Sequence, residues 1–206
     1  SNNILKIMKK IVLAAIAVMG FSFANAQDSG SFGFSKGNIL LEGNLGLSSK
    51  NDKNTETKTN FFEFSPKAGY FLTDKFALGL DLGVGSYKQK KTGSDADKSS
   101  IFKVGVFGRY YFLDLGQRFK TYAEAGVGLN SGKDGDAKYS GVGFNAGLGI
   151  NYFVSNNFAI NFGLTDILAC DSYKYKGGKA VSQFDANVNV FNNFFSTAKF
   201  GLTYKF

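Results

Sequence analysis

The sequence predicts an all-β fold, an eight-stranded antiparallel up-and-down transmembrane β-barrel, on three observations. Period-2 alternation runs almost everywhere after Gly37, with no 3.6-residue stripe that would mark a helix. The connections between apolar runs alternate between short and long. Within each run, one parity is predominantly apolar, and the other carries most of the mid-strand charges. A chain of 206 residues, with 26 Gly, one Pro and 16% aromatics, is long enough for one domain with an enclosed interior.

The first element is an export signal. In "MKKIVLAAIAVMGFSFANAQ", Lys9 and Lys10 form a basic start and Ile11 to Phe23 a 13-residue apolar core. Ala24-Asn25-Ala26 offers small residues for cleavage after Ala26. The core falls short of the roughly 20 residues of a membrane-spanning helix; an N-terminal membrane anchor is the alternative. No Cys stands directly behind it, so a lipoprotein is not expected. Residues 1–26 are read as upstream residues plus signal, 27–37 ("QDSGSFGFSKG") as a flexible lead-in, and 38–206 as the barrel. Removing 1–26 leaves a net charge of about +5. Arg occurs only at 109 and 118, so nucleic acid is not an expected partner.

The strands follow in order at about 38–49, 60–72, 76–88, 101–112, 119–131, 141–154, 158–170 and 186–206. Thr73-Asp74-Lys75, Leu113 to Arg118 and Ser155-Asn156-Asn157 are the short connections. The long ones are polar: 50–59, 90–100, 132–140 and 172–183. This rhythm is that of a meander with one trimmed and one long-looped end. "GYFLTDKFALG" (69–79) and "NYFVSNNFAIN" (151–161) repeat one hairpin pattern, and 109–126 is a looser third copy.

The two parities then have to be assigned to solvents. The apolar set runs through Leu41, Leu45, Phe64, Leu80, Val106, Val127, Phe144, Ile160 and Leu202. The polar set holds Glu42, Glu63, Lys67, Asp81, Lys103, Arg109, Lys120, Glu124, Lys199 and Lys205. A secreted lipocalin-like barrel would turn the apolar set inward, whereas a membrane barrel turns it to lipid. The polar set favours the membrane. It carries Gly143, Gly147 and Gly149, and Asp81 sits between Gly79 and Gly83; small residues beside charges suit a crowded eight-strand lumen. Tyr70, Phe76, Tyr110, Phe112, Phe119, Tyr152, Phe158 and Tyr204 gather at the short-turn end, where an interfacial girdle belongs. Pro66 falls on the apolar parity and suggests a bulge.

With its exported start, eight amphipathic strands and terminal Phe200-x-Leu202-x-Tyr204-x-Phe206, the chain resembles the small outer-membrane β-barrels of Gram-negative bacteria. These are the OmpX, OmpA-barrel and OmpW-like types, and especially the Bacteroidetes-type "outer membrane protein β-barrel domain" proteins. The resemblance covers 38–206 and implies outer-membrane localisation and a periplasmic lead-in. It implies an assembly signal at Phe200, Leu202, Tyr204 and Phe206, read by the barrel-assembly machinery. No peptidoglycan-binding domain is expected behind the barrel, unlike full-length OmpA proteins.

Several functions lose support. The barrel enzymes of this size use a His base, and this chain has no His. Glu42, Glu63, Asp81 and Glu124 share a face and leave a carboxylate-only site open. The alternative is that they neutralise Lys67, Lys103, Arg109 and Lys199 as a lumen charge network. No phosphate loop or metal-ligand spacing occurs, and Cys170 reads as a small apolar filler, so no catalytic, cofactor or metal residue is expected. An eight-strand lumen is too narrow for a general porin. The expected role is structural or surface-interacting, by a monomer with a largely plugged polar lumen. The alternative is a narrow OmpW-like conduit for a small solute, lined by Phe71, Phe107, Tyr111, Tyr122 and Phe153. Lysines in the long loops (50, 53, 58; 88, 90, 91, 98; 174, 176, 179) suggest outer-membrane lipid and lipopolysaccharide phosphates as partners.

Overall fold

The computed structural model describes residues 32–93, 95–186 and 199–206. The expected signal and cleavage site lie outside these residues. Among the described residues nine strand segments form one antiparallel sheet: β1 (Ile39–Asp52), β2 (Thr57–Phe71), β3 (Phe76–Lys91), β4 (Asp97–Leu115), β5 (Phe119–Asp134), β6 (Ala137–Phe153), β7 (Phe158–Tyr175), β8 (Ala180–Ala186) and β9 (Lys199–Lys205). Each of β1 to β7 pairs with the next. β9 lies between β7 and β1, with Phe158 opposite Tyr204 and Leu41 opposite Tyr204 on its other side. Ile39 and Phe206 exchange backbone bonds of 3.2 and 2.9 Å. The ring is thereby closed at eight positions, with no free edge at this end.

The eighth position differs from the expected strand 186–206. It holds two described segments, both antiparallel to β7: β8 on Leu168–Lys174 and β9 on Phe158–Gly163. Residues 180–183, expected in a loop, are strand. The other strands also run about three to five residues past their expected ends at the long-loop side. The 132–140 loop contracts to Gly135-Asp136 between paired Asp134 and Ala137, with Gly135 at φ 59° in the left-handed region. Beyond the membrane both strand faces meet water, so apolar alternation vanishes while backbone pairing continues.

Pro66 is accommodated without a bulge. β2 pairs β3 from Phe64–Val84 to Lys67–Asp81 in unbroken register, and the ladder is open only at Ser65 and Pro66. The missing N–H therefore falls where no bond is made. True irregularities lie elsewhere, at Tyr111/Leu113 on β4 and at two points where β6 meets β7.

Burial settles which solvent each face meets. Leu47, Leu80, Leu129 and Phe200 are 70%, 62%, 61% and 56% exposed, and their parity neighbours form a continuous apolar belt. The interior holds Glu42, Arg109, Asn151, Asn161 and Thr203 among Leu40, Phe71, Phe107 and Phe153. An apolar exterior of this extent around a polar interior is a membrane barrel and the inverse of a lipocalin.

Candidate functional site

The buried interior is concentrated at the short-turn end. Arg109 on β4 stands in register beside Glu124 on β5 and reaches across the lumen to Glu42 on β1. Its Nη1 and Nη2 donate to Glu42 Oε2 and Oε1 at 2.7 and 3.0 Å, and its Nε donates to Glu124 Oε2 at 2.7 Å. Lys67 on β2 pairs with Glu124. Two cations and two carboxylates thus lock as cross-lumen struts, the arrangement a buried charge requires. The guanidinium also lies 4.0 Å from the Tyr122 ring centroid, a cation–π contact.

Neutral groups complete the layer. Glu42 accepts further bonds from Asn44, Asn161 and Thr203 at 2.8, 3.1 and 3.0 Å. Tyr111 and Tyr122 donate to Asn151 and Asn161, each at 2.7 Å. An aromatic lid lies towards the short turns. Phe34, which precedes β1, stacks on Phe71 with centroids 4.3 Å apart and contacts Tyr111 and Phe153 at 4.9 and 5.3 Å. Lys205 Nζ donates to Gly33 O at 2.8 Å, and Arg118 lies over Phe32. Residues 32–37, expected within a flexible lead-in, are therefore folded into the barrel mouth. The alternating signal was too short there to register as structure.

On the other side of this layer the lumen opens into a cavity of about 280 Å³. Its wall includes Glu63, Asp81, Lys103, Asn130 and Asp171.

Residues 13–206 match the family described as "Outer membrane protein beta-barrel domain". The chain belongs to this family. The protein accordingly resides in the outer membrane. It is 25% identical over 166 residues to outer membrane porin F of Pseudomonas fluorescens, covering 76% of this chain and 50% of that protein. The chain thus spans about half the length of that curated relative. Its fold is similar to OprG of Pseudomonas aeruginosa, with a TM-score of 0.51 at 15% identity over 84% of this chain and 98% of that one. The E. coli outer membrane protein W aligns at a TM-score of 0.44 and 15% identity, over 84% and 99%.

The structure of this outer-membrane barrel sorts seven of the eight expected network residues into two groups. Glu42, Lys67, Arg109 and Glu124 are joined by the cross-lumen ion pairs. Glu63, Asp81 and Lys103 line the cavity outside those ion pairs, and Glu63 accepts from Ser65 at 3.2 Å. Lys199 begins β9, and its side chain is outside the described residues. Phe71, Phe107, Tyr111, Tyr122 and Phe153 are all buried in the interior. Phe200, Leu202 and Phe206 face outward on β9. Asn151, Asn161 and Thr203, on the polar parity, join this layer through hydrogen bonds that the charged residues alone did not indicate. Among the described residues no group of His, Cys, Asp or Glu gathers to hold a metal ion.

Proposed function

We propose that the protein is a non-catalytic structural and surface-interaction barrel of the outer membrane, plugged at its periplasmic end. The observation that carries this reading is the plug itself. The Arg109 and Glu42 side chains are both 0% exposed, with the Phe34 lid beneath them. A solute crossing here has to separate buried opposite charges, which costs several kcal/mol per ion. The two plug carboxylates are held by cations, and the absence of His removes the usual neutral-pH base.

The external side then carries the activity. Thr92, behind β3, donates its backbone N–H to Glu56 O at 3.1 Å, tying the β1–β2 and β3–β4 turns together. Between them lies a groove lined by Lys53, Lys58, Lys90, Glu56, Asn51 and Thr92. Three cations to one anion suit lipopolysaccharide phosphates at the outer leaflet.

Reconstitution tests both parts. Purified barrel in planar bilayers is expected to give no discrete conductance, and steady single-channel steps would replace this reading with the conduit. Vesicles containing lipopolysaccharide should retain the wild type better than a Lys53→Gln/Lys58→Gln/Lys90→Gln variant at low salt. Equal retention removes the groove from the proposal. Lipid turnover abolished by Glu42→Gln or Glu124→Gln would show an enzyme instead.

A further inference from the structure

The outward face of the barrel ends differently at its two rims. At the short-turn rim it carries aromatic rings and no lysine, with Tyr70 and Tyr110 50% and 48% exposed. At the long-looped rim it carries a lysine on each of the consecutive strands β2 to β7: Lys58, Lys88, Lys98, Lys133, Lys138 and Lys174. Each stands four residues past the last apolar residue of its face, with Ser or Asn halfway. Val84, Ser86 and Lys88 on β3 and Leu129, Ser131 and Lys133 on β5 show the pattern. Register fixes their direction. The ladders from β2 to β6 run without a shift from the apolar belt up to these lysines, and Lys174 lies opposite outward Ser140.

The acids of these rows are kept off this face. Asp52, Asp97 and Asp134 sit on the inward parity together with Lys50 and Lys91, and Glu56, Asp95 and Asp136 stand in the turns. All the belt lysines are exposed, and among the described residues none forms an ion pair. Lys88 is directly opposite Lys98, and Lys133 directly opposite Lys138. Lys176 extends the second row, its backbone N–H donating to Lys138 O at 2.9 Å. Like charges set opposite each other weaken a sheet, whereas Lys beside Asp would support it. A layer of anions outside the wall removes that cost.

Four residues at about 3.3 Å each, on a strand tilted about 40°, lift each Cα roughly 10 Å past the last apolar residue. From there the lysine stem reaches back to the headgroup level. We propose that these lysines form a belt that binds the phosphate groups of lipopolysaccharide in the outer leaflet, and that the barrel reaches full stability only with them bound. The long-looped ends of such barrels face that leaflet, and a ligand that binds only the folded state stabilises it. The belt rests on the surface-interaction reading for its partner but uses other side chains: of its lysines only Lys58 also lines the groove between the turns.

The test is urea unfolding of the refolded full chain in dodecyl maltoside micelles at low salt, with and without lipopolysaccharide, followed by gel migration. Lipopolysaccharide should raise the wild-type midpoint, and inorganic phosphate at the same phosphate concentration should not. Lys88→Gln/Lys98→Gln/Lys133→Gln/Lys138→Gln should unfold later than the wild type in plain micelles, because two like-charge pairs are gone. It should also lose at least half of the lipopolysaccharide shift, opposite effects that general loosening of the fold does not produce. Lys98→Glu/Lys138→Glu makes each pair opposite in charge and should show the same two effects; it decides if the fourfold variant does not refold. A wild-type midpoint unmoved by lipopolysaccharide, an equal shift with inorganic phosphate, or variants that match the wild type in both conditions overturn the proposal. Lys53→Gln/Lys58→Gln/Lys90→Gln separates belt from groove. If that variant alone loses the shift, the belt falls and the groove stands; if only the belt variants lose it, the belt stands without the groove.

Discussion

Replacing Arg109 by Leu tests whether the plug is held by its charges. Glu42 is 0% exposed and takes two of its bonds from this guanidinium, at 2.7 and 3.0 Å. Without Arg109 it keeps only the neutral donors Asn44, Asn161 and Thr203. Glu124 fares better, since Lys67 remains beside it. One buried carboxylate is therefore stranded, and breaking a buried pair in this way costs about 3–5 kcal/mol. At about 1.4 kcal/mol per decade, that lowers the folded-to-unfolded ratio by roughly two to three and a half orders of magnitude. Urea unfolding in detergent micelles, followed by tyrosine fluorescence and by gel migration, measures the loss. Glu42→Leu/Arg109→Met should recover at least half of it, because an apolar replacement of both partners strands nothing. An Arg109→Leu variant within about 1 kcal/mol of the wild type would refute the reasoning, since the pair would then be water-filled rather than buried.

The closed ring predicts that unboiled protein migrates differently from boiled protein in detergent gels; identical migration contradicts closure. Phe34→Ala removes the ring that stacks on Phe71 and Tyr111 and should cost about 2–4 kcal/mol in the same urea assay. It should also speed deuterium exchange at Tyr111 and Phe153. A Cβ added at Gly149 would overlap the Tyr122 ring, which is flanked by the Arg109 guanidinium and the Tyr111 ring and has a bond to Asn161 to keep. Gly149→Ala should therefore destabilise by about 1–3 kcal/mol, whereas Gly46→Ala, whose nearest neighbour would be 3.5 Å away, should be within about 0.5–1 kcal/mol of wild type. Equal urea midpoints for the two variants would show that Tyr122 is not packed as described.

The amino-acid order alone determined the two faces of the barrel. Side chains alternate along a strand, so the apolar parity and the polar parity could be sorted without knowing any pairing partner. Leu80 and Phe200 had to face one solvent and Asp81 and Lys199 the other, and the short connections located the aromatic end. Strand ends were legible only while one face was apolar. Past the membrane, as at Lys138 and Ser182, both faces are polar and the continuing ladder leaves no mark in composition. Tertiary structure alone decided which charges meet. Asp81 is the cross-strand neighbour of Lys67, yet closing eight strands brings Glu124 across the lumen to that lysine. The same closure lets Phe34, outside every strand, fill the mouth. Period 2 reports on faces, because orientation is local; contacts across a lumen depend on curvature and register, which no single strand contains.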